Sequence, residues 1–345
     1  MNSISTKAVA FNAFDTFASL HPFTHYTGIL MLYAEARLAF HTREENNRLD
    51  ALKKLLTPWV NGEVSFSCNF QNYQCGGMAS AWLLKKGVFP EAESAVKKHA
   101  EMLIKKAPRG EKRIFCLPRP PHNIIFIDAA FAVTPFLLFA GLYFEEEKWI
   151  EEAVNQTCKM VKLLRDSENG LLHQAKNYRS PGHMTQDHWS RGNGWGIFAL
   201  TELFQGLPED HPRFEEVYKI FRSLLLAIYV HQDGDACWHQ EMTRMDSYVE
   251  TSGAGLFLYA FARDPTFKNE LINGLKGLSS YIALDGSIHN TSGGCLCPGE
   301  GTIEDYLARG PILNDRHAFG AISLAFGQAS INGISSIPLQ RPFKT

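Results

Sequence analysis

Nine consecutive residues, Asp187-His188-Trp189-Ser190-Arg191-Gly192-Asn193-Gly194-Trp195, bring a guanidinium, an imidazole, an amide, two indoles and two glycines together. Indoles offer flat apolar faces with one polar edge, and a guanidinium forks onto a carboxylate. Glycine lets a backbone turn tightly or approach a neighbour closely. Such a set can grip a sugar ring and an acid group. The same residues also have a structural reading, with Trp189 and Trp195 in the core and the glycines serving helix packing.

Asp128 is the second candidate. It stands inside Ile124-Ile125-Phe126-Ile127-Asp128-Ala129-Ala130-Phe131. A carboxylate in so apolar a run is costly unless it is paired or protonated, and a raised pKa suits a general acid. Asp is also a good helix N-cap, so acid and cap both stand as readings. His173, His188 and His239 each follow a turn and precede a polar residue, and a lone histidine serves structure more often than catalysis. Glu250 in Glu250-Thr251-Ser252-Gly253 and Asn314-Asp315 before Arg316-His317 could equally be capped helix starts.

Helical periodicity must position these residues, and it comes in two kinds. From Glu146 to Arg165, the residues Trp149, Ile150, Ala153, Val154, Thr157, Cys158, Val161 and Leu164 make one apolar stripe. Pro212 to Val230 repeats that amphipathic pattern, and Glu91 to Lys106 is a more polar example. By contrast, Met78–Leu84, Ile127–Phe144, Ile197–Leu203, Gly253–Phe261 and Phe319–Phe326 are apolar or small nearly all round, as helices buried on every side are. Each opens on a polar cluster, near residues 72, 128, 192, 250 and 315, so the unit recurs roughly every 60 residues, as in helical-hairpin repeats. An earlier helix, Thr24 to Phe40, fits one repeat before them. About six hairpins fit the chain, which predicts an all-α fold: an inner ring of buried helices inside an amphipathic outer ring. With inner helices running one way, their polar openings gather at one end as a cleft. The repeat spans nearly all of residues 1–345, so one domain is expected.

Composition narrows the function. Hydrophobic residues make up 45% and charged residues 20%, the proportions of a soluble globular protein. A net charge of -2 supplies no field for nucleic acid or an anionic membrane. Met1–Ala10 has one lysine and no sustained apolar core, so no signal peptide is expected. The longest apolar stretch, Ile124–Phe144, is interrupted by Asp128, Thr134, Pro135 and Gly141, so no membrane span is expected. Seven scattered cysteines do not read as a disulfide framework, and a cytoplasmic setting is the expectation. Cys68, Cys75, Cys116 and Cys158 read as core. Cys295-Leu296-Cys297 near His289 lacks the spacing and second Cys pair of a zinc site, so no metal is expected there.

The motifs Ile127-Asp128-Ala129-Ala130-Phe131 with Pro135-Phe136-Leu137, Trp189-Ser190-Arg191-Gly192-Asn193-Gly194-Trp195, Glu250-Thr251-Ser252-Gly253-Ala254-Gly255 and Asn314-Asp315 occur in this order. Together they resemble the unsaturated rhamnogalacturonyl hydrolases, glycoside hydrolase family 105, and their sister family 88 of unsaturated glucuronyl hydrolases. The resemblance implies an (α/α)6 barrel, in agreement with the hairpin count. It also implies a substrate: a di- or oligosaccharide whose terminal uronic acid carries a C4=C5 double bond left by a lyase. Protonation at C4 leaves an oxocarbenium-like centre at C5, water adds there, and the hemiketal opens with loss of the glycosidic bond. One acid can give the proton and take one back from water, whereas ordinary glycosidases need two carboxylates.

By this resemblance Asp128 is the acid and base, Arg191 lies near the substrate carboxylate, and Trp189 and Trp195 are sugar-facing walls. His173 matches a cleft histidine, and His188 and Asn193 join the substrate-binding set. No metal or organic cofactor is implied, and a monomer or weak homo-oligomer is expected. One departure stands out. Where family members commonly carry Asp-Asn, this chain has Gln71-Asn72, which can bind sugar hydroxyls but cannot act as acid or base. Another sugar enzyme on the same barrel, such as a 2-epimerase or ordinary glycosidase, and an inactive carbohydrate-binding homologue are the alternative readings.

Overall fold

A computed structural model describes residues 3–68, 73–119, 121–294 and 299–339. Gln71, Asn72 and the Cys295-Leu296-Cys297 tract therefore lie outside the described residues. Six helices form the inner ring: α2 (Gly28–His41), α4 (Gly77–Lys85), α6 (Asp128–Phe144), α8 (Ser190–Gly206), α10 (Thr251–Ala262) and α13 (Arg316–Ile331). Each packs on the next, and α13 closes the circle on α2. Outside them lie α3 (Arg48–Val60), α5 (Glu93–Lys106), α7 (Glu147–Leu164), α9 (Phe214–Tyr229) and α11 (Lys268–Ser279), each following its inner partner. A short helix, α12 (Ile303–Leu307), sits in the last long connection. This is the expected (α/α)6 barrel.

The sixth hairpin differs from the expected pattern. The helix outside α13 is α1 (Thr6–Leu20), from the other end of the chain. A two-stranded pairing of β1 (Ser3–Ser5) with β6 (Ser336–Pro338) fastens the two ends beside it. Each ring helix needs a cover for its outward face, and the N-terminal helix supplies the last one.

Burial explains the two kinds of helix. Every residue from Ala129 to Gly141 in α6 is buried, whereas α7 buries mainly the stripe from Trp149 to Leu164. Removing one Leu or Phe side chain from water contributes about 1.5–3 kcal/mol, so helices buried all round are held by their neighbours rather than by their own propensity. Close approach inside the ring uses glycine. A Cβ on Gly255 would meet Ala321 at 2.8–2.9 Å, and one on Gly320 would meet the Leu30 side chain at 2.7 Å.

Two boundaries moved. Helix α2 starts at Gly28 rather than Thr24, because the chain folds back so tightly that a Gly28 Cβ would lie 2.2 Å from the Phe23 carbonyl oxygen. Helix α8 starts at Ser190, so Arg191, Asn193 and Trp195 lie within it rather than in a loop before it. Glycines at 192, 194 and 196 weaken the first two turns of the helix, and tertiary contacts compensate here.

Candidate active site

The loops preceding the inner helices are knitted together at one end of the barrel. Strand β4 (Ile125–Phe126) pairs antiparallel with β5 (Ala175–Lys176), and the Ile127 amide donates to the Gln174 carbonyl at 3.1 Å. That pairing places residue 174 beside the first residue of α6, Asp128. Gln174 Nε2 donates to Asp128 Oδ2. The glycines of α8 make room for this segment: a Cβ on Gly192 would lie 2.4 Å from Gln174 Oε1, and one on Gly196 would lie 2.4 Å from Leu172.

Burial pushes the Asp128 carboxyl up to about 6, against the pull of its backbone hydrogen bond, of Gln174 and of the more distant Arg191. Asp128 nevertheless keeps part of its surface open. A carboxyl with such a pKa exists in both protonation states near neutrality, which suits it to give and take a proton.

Arg191 is fully buried, with its charge near Glu250 at 3.8 Å. Its Nη1 donates to Ser252 Oγ at 2.9 Å and to the Ser292 carbonyl at 2.6 Å, and its Nη2 donates to the Gly293 carbonyl at 2.5 Å. Trp189 stacks under the guanidinium at 4.2 Å and donates through Nε1 to Ser292 Oγ. Glu250 caps α10 by accepting from the amides of Ser252 and Gly253, and it also accepts from Ser190 Oγ and the Ser292 amide. The capping reading of Glu250 therefore holds.

Several expected ligand contacts are corrected by this arrangement. Trp189 and Trp195 are 2% and 3% exposed, so neither is a wall that a sugar could face. Trp195 instead stacks on Phe131, 3.9 Å between rings. Asn193 clips backbone to backbone, accepting from the Leu172 amide and donating to the carbonyls of Leu172 and Trp189. Both Nη groups of Arg191 donate to protein oxygens, and its Nε is buried without a hydrogen-bond partner. Side chains of this kind look alike in sequence whether they meet a ligand or their own loops.

His173 and His188 do come together, their rings 4.9 Å apart, but beside a different set of partners. His188 is buried, with Nε2 2.8 Å from Asp166 Oδ2 and Nδ1 3.6 Å from Glu241 Oε1. His173 is half-buried and donates through Nδ1 to the Asp187 carbonyl at 3.2 Å. His173 directly precedes Gln174, and the two histidines, expected among the substrate-binding residues, share a polar cluster with Asp166 and Glu241. His239 lies apart, bonded to the Ser247 carbonyl and 3.4 Å from Asp233.

Gln174 and Tyr26 escaped the sequence reading, and so did the use of His317. Gln174 had only its place after a turn to mark it. At the start of α13, the Tyr26 hydroxyl donates to His317 Nε2 at 2.6 Å, and His317 Nδ1 donates to Asp315 Oδ1 at 2.6 Å. Burial and then the Arg191 charge push His317 down to about 4, so it is a neutral acceptor for the phenol. The Asp315 carboxyl is held far below the usual range, its burial overcome by His317 and Arg191. Tyr26 lies 291 positions from its partner, and no local pattern announces the pair.

The profile of glycosyl hydrolase family 88 matches residues 9–330. The unsaturated rhamnogalacturonyl hydrolase YesR of Bacillus subtilis is 25% identical over 203 residues, 56% of this chain and 58% of that protein. An unsaturated 3S-rhamnoglycuronyl hydrolase of Formosa agariphila is 25% identical over 146 residues, 39% of this chain and 38% of that protein. The matched stretch thus spans less than two thirds of either relative. A family 105 glycoside hydrolase structure from C. acetobutylicum superposes with a TM-score of 0.80 at 21% identity, covering 93% of this chain and 99% of that one. That likeness establishes the same barrel.

Proposed function

The chain belongs to glycosyl hydrolase family 88, and from that premise we propose that it removes the terminal 4,5-unsaturated uronic acid from lyase-generated oligosaccharides. The substrate is of the unsaturated galacturonyl-rhamnose type, and Asp128 is its acid and base. The carrying observation is the Asp128 carboxyl itself: raised to about 6, partly open, and held on one oxygen by Gln174. With Gln174 donating to Oδ2, Oδ1 is left to carry the proton.

In the proposed reaction Asp128 gives that proton to C4 of the double bond. The electron deficiency then lies at C5 and its ring oxygen. A water oxygen bonds to C5 as one of the water's protons returns to Asp128, which restores the starting carboxyl. The C5 hemiketal opens to a ketone, C1 is left as a hemiacetal, and its collapse to the aldehyde releases the remaining sugar. One water is consumed, and no second carboxylate is required. Arg191 supplies a fixed positive field that keeps Asp128 within reach of its ionised form, and its own loop bonds keep it in place.

The test is loss of the double bond's ultraviolet absorbance on a panel of unsaturated disaccharides. Wild-type chain should bleach the galacturonyl-rhamnose member, and Asp128→Asn should not, with an unchanged circular dichroism spectrum. Turnover by Asp128→Asn near the wild-type rate would remove Asp128 from the mechanism.

A further inference from the structure

The cluster behind the acid has no part in the reaction above, and its composition is unusual. Asp166 Oδ2, a nitrogen of His173 and a nitrogen of His188 all lie within 4.8 Å of one another. They come from the connection between α7 and α8, which also carries Gln174 to Asp128. Each imidazole has an oxygen near its other nitrogen. The Nδ1 of His173 bonds the Asp187 carbonyl, and the Nδ1 of His188 faces Glu241. Metal-binding histidines are held in this way, by a carbonyl or carboxylate on the far nitrogen that fixes the tautomer; the Nε2 of His188 meets Asp166 Oδ2 at 2.8 Å and Asn169 Nδ2 at 3.2 Å, contacts that a bound ion would displace.

The surroundings point the same way. Asp166, Asp187 and Glu241 surround the two rings, with Asp187 and Glu241 fully buried. Asp187 Oδ1 and His188 Nδ1 are buried without a hydrogen-bond partner. The charges that act on His173, His188 and Asp187 come from one another and from Asp166 and Glu241, with no lysine or arginine among them. Three carboxyl groups thus surround two imidazoles in a site largely out of water, an oxygen- and nitrogen-rich setting of the kind that coordinates a metal.

The geometry points to a binding site for one divalent first-row transition ion, with Asp166, His173 and His188 as ligands and a water completing the shell. Two imidazole nitrogens and one carboxylate oxygen suit zinc and its neighbours rather than calcium or magnesium, which take oxygen ligands. Binding replaces the proton between His188 and Asp166 with the ion. Because His173 precedes Gln174, an ion here would stiffen the segment that holds the acid's partner. In the second cluster of this kind, Glu147, Glu151 and His211, Glu147 is exposed and the far nitrogen of His211 accepts from the Arg213 amide instead of facing a carbonyl or carboxylate, so it serves as the internal control.

The test uses the full-length chain, stripped with a chelator and titrated with Zn2+ by calorimetry and with Co2+ by visible absorption. One equivalent should bind, raise the melting temperature, and give cobalt d–d bands without a thiolate charge-transfer band. The half-buried His173 is the position to change first, since His173→Gln should leave the fold intact. Its loss should weaken Zn2+ binding about 100-fold, the upper end of what disturbing a metal site's shell does, and cancel the zinc-dependent rise in melting temperature. Changing Glu151→Gln should alter neither. Absence of stoichiometric uptake, uptake unchanged by His173→Gln, or a charge-transfer band from cysteine ligation would each overturn the assignment.

Discussion

Among the described residues, each end of the inner ring buries one arginine, and the two are used differently. At the end where the inner helices finish, Arg37 of α2 donates to the Tyr33 hydroxyl and to Gln328, beneath the rings of Tyr33, Trp82 and Tyr259. Glu202 accepts from Tyr33 at 2.6 Å and from Tyr259, so four helices share one side-chain network. At the end where they begin, Arg191 is held by two loop carbonyls, a serine and a carboxylate that also caps a helix. The first network joins rigid helices. The second joins helices to loops and sits beside carboxyls with displaced proton affinities: Asp128 near 6, Asp187 near 7 and Asp315 far below both. One end closes the barrel, and the other stores the charge imbalance that chemistry needs.

The sharpest test of that division is Asp128→Asn. Loss of a general acid costs about 10²–10⁴ in rate, so its turnover of the unsaturated disaccharide should fall by at least that much. At the closed end, Glu202→Ala should lower unfolding free energy by about 3–5 kcal/mol, because it leaves a buried arginine uncompensated, while kcat of the folded enzyme stays near wild type. Urea unfolding and kinetics on the same sample read both quantities. If Glu202→Ala lost rate rather than stability, the two ends would not be separable.

Asp128 should also cost stability. Its folded pKa, about 6, lies above the unfolded value, so the native state binds more protons between the two and stability falls as pH rises through that window. Asp128→Asn removes this penalty and should stabilise the protein by about 1–3 kcal/mol at pH 8, with little difference at pH 3, since one pKa unit is worth ~1.4 kcal/mol. Equal gains at both pH values would assign the effect to packing instead.

Gln174→Ala should have a smaller effect, lowering kcat about 10-fold, the cost of one hydrogen bond to a charged group. Gln174 lowers the pKa of Asp128, so its loss should move the limb of the pH–rate profile set by Asp128 to higher pH. Gly192→Ala should shift that limb in the same direction and by less, because the new Cβ presses on the Gln174 amide rather than removing it. An unshifted profile in both variants would mean that the amide plays no part in tuning the acid.

Much of the fold was legible because periodicity is local. A helix buried on all sides must be apolar all round, as α6 is, and one facing water must not, as α7 shows. Asp128 was visible for a related reason, as a charge where the pattern forbids one. The aromatic and cationic residues after Asp187 were visible as a set, yet their use was not. Trp189 and Trp195 could face either a ligand or the core, and only the loop carrying Ser292 and the helix carrying Phe131 placed them inside. Only the folded chain shows that Ser252, Ser292 and Gly293, 61 to 102 positions away, engage both Nη groups of Arg191.

What the sequence by itself determined is the repeating alternation of buried and amphipathic helices, the ring that follows from it, and the presence of one misplaced acid. Tertiary structure alone decided that α1 covers α13, that Gln174 meets Asp128 across a strand pairing, and that His173 turns toward Asp166 and His188. The physical reason is range. Burial patterns are written along each helix, whereas the partner of a polar group depends on which distant loops the closed ring brings to the same end.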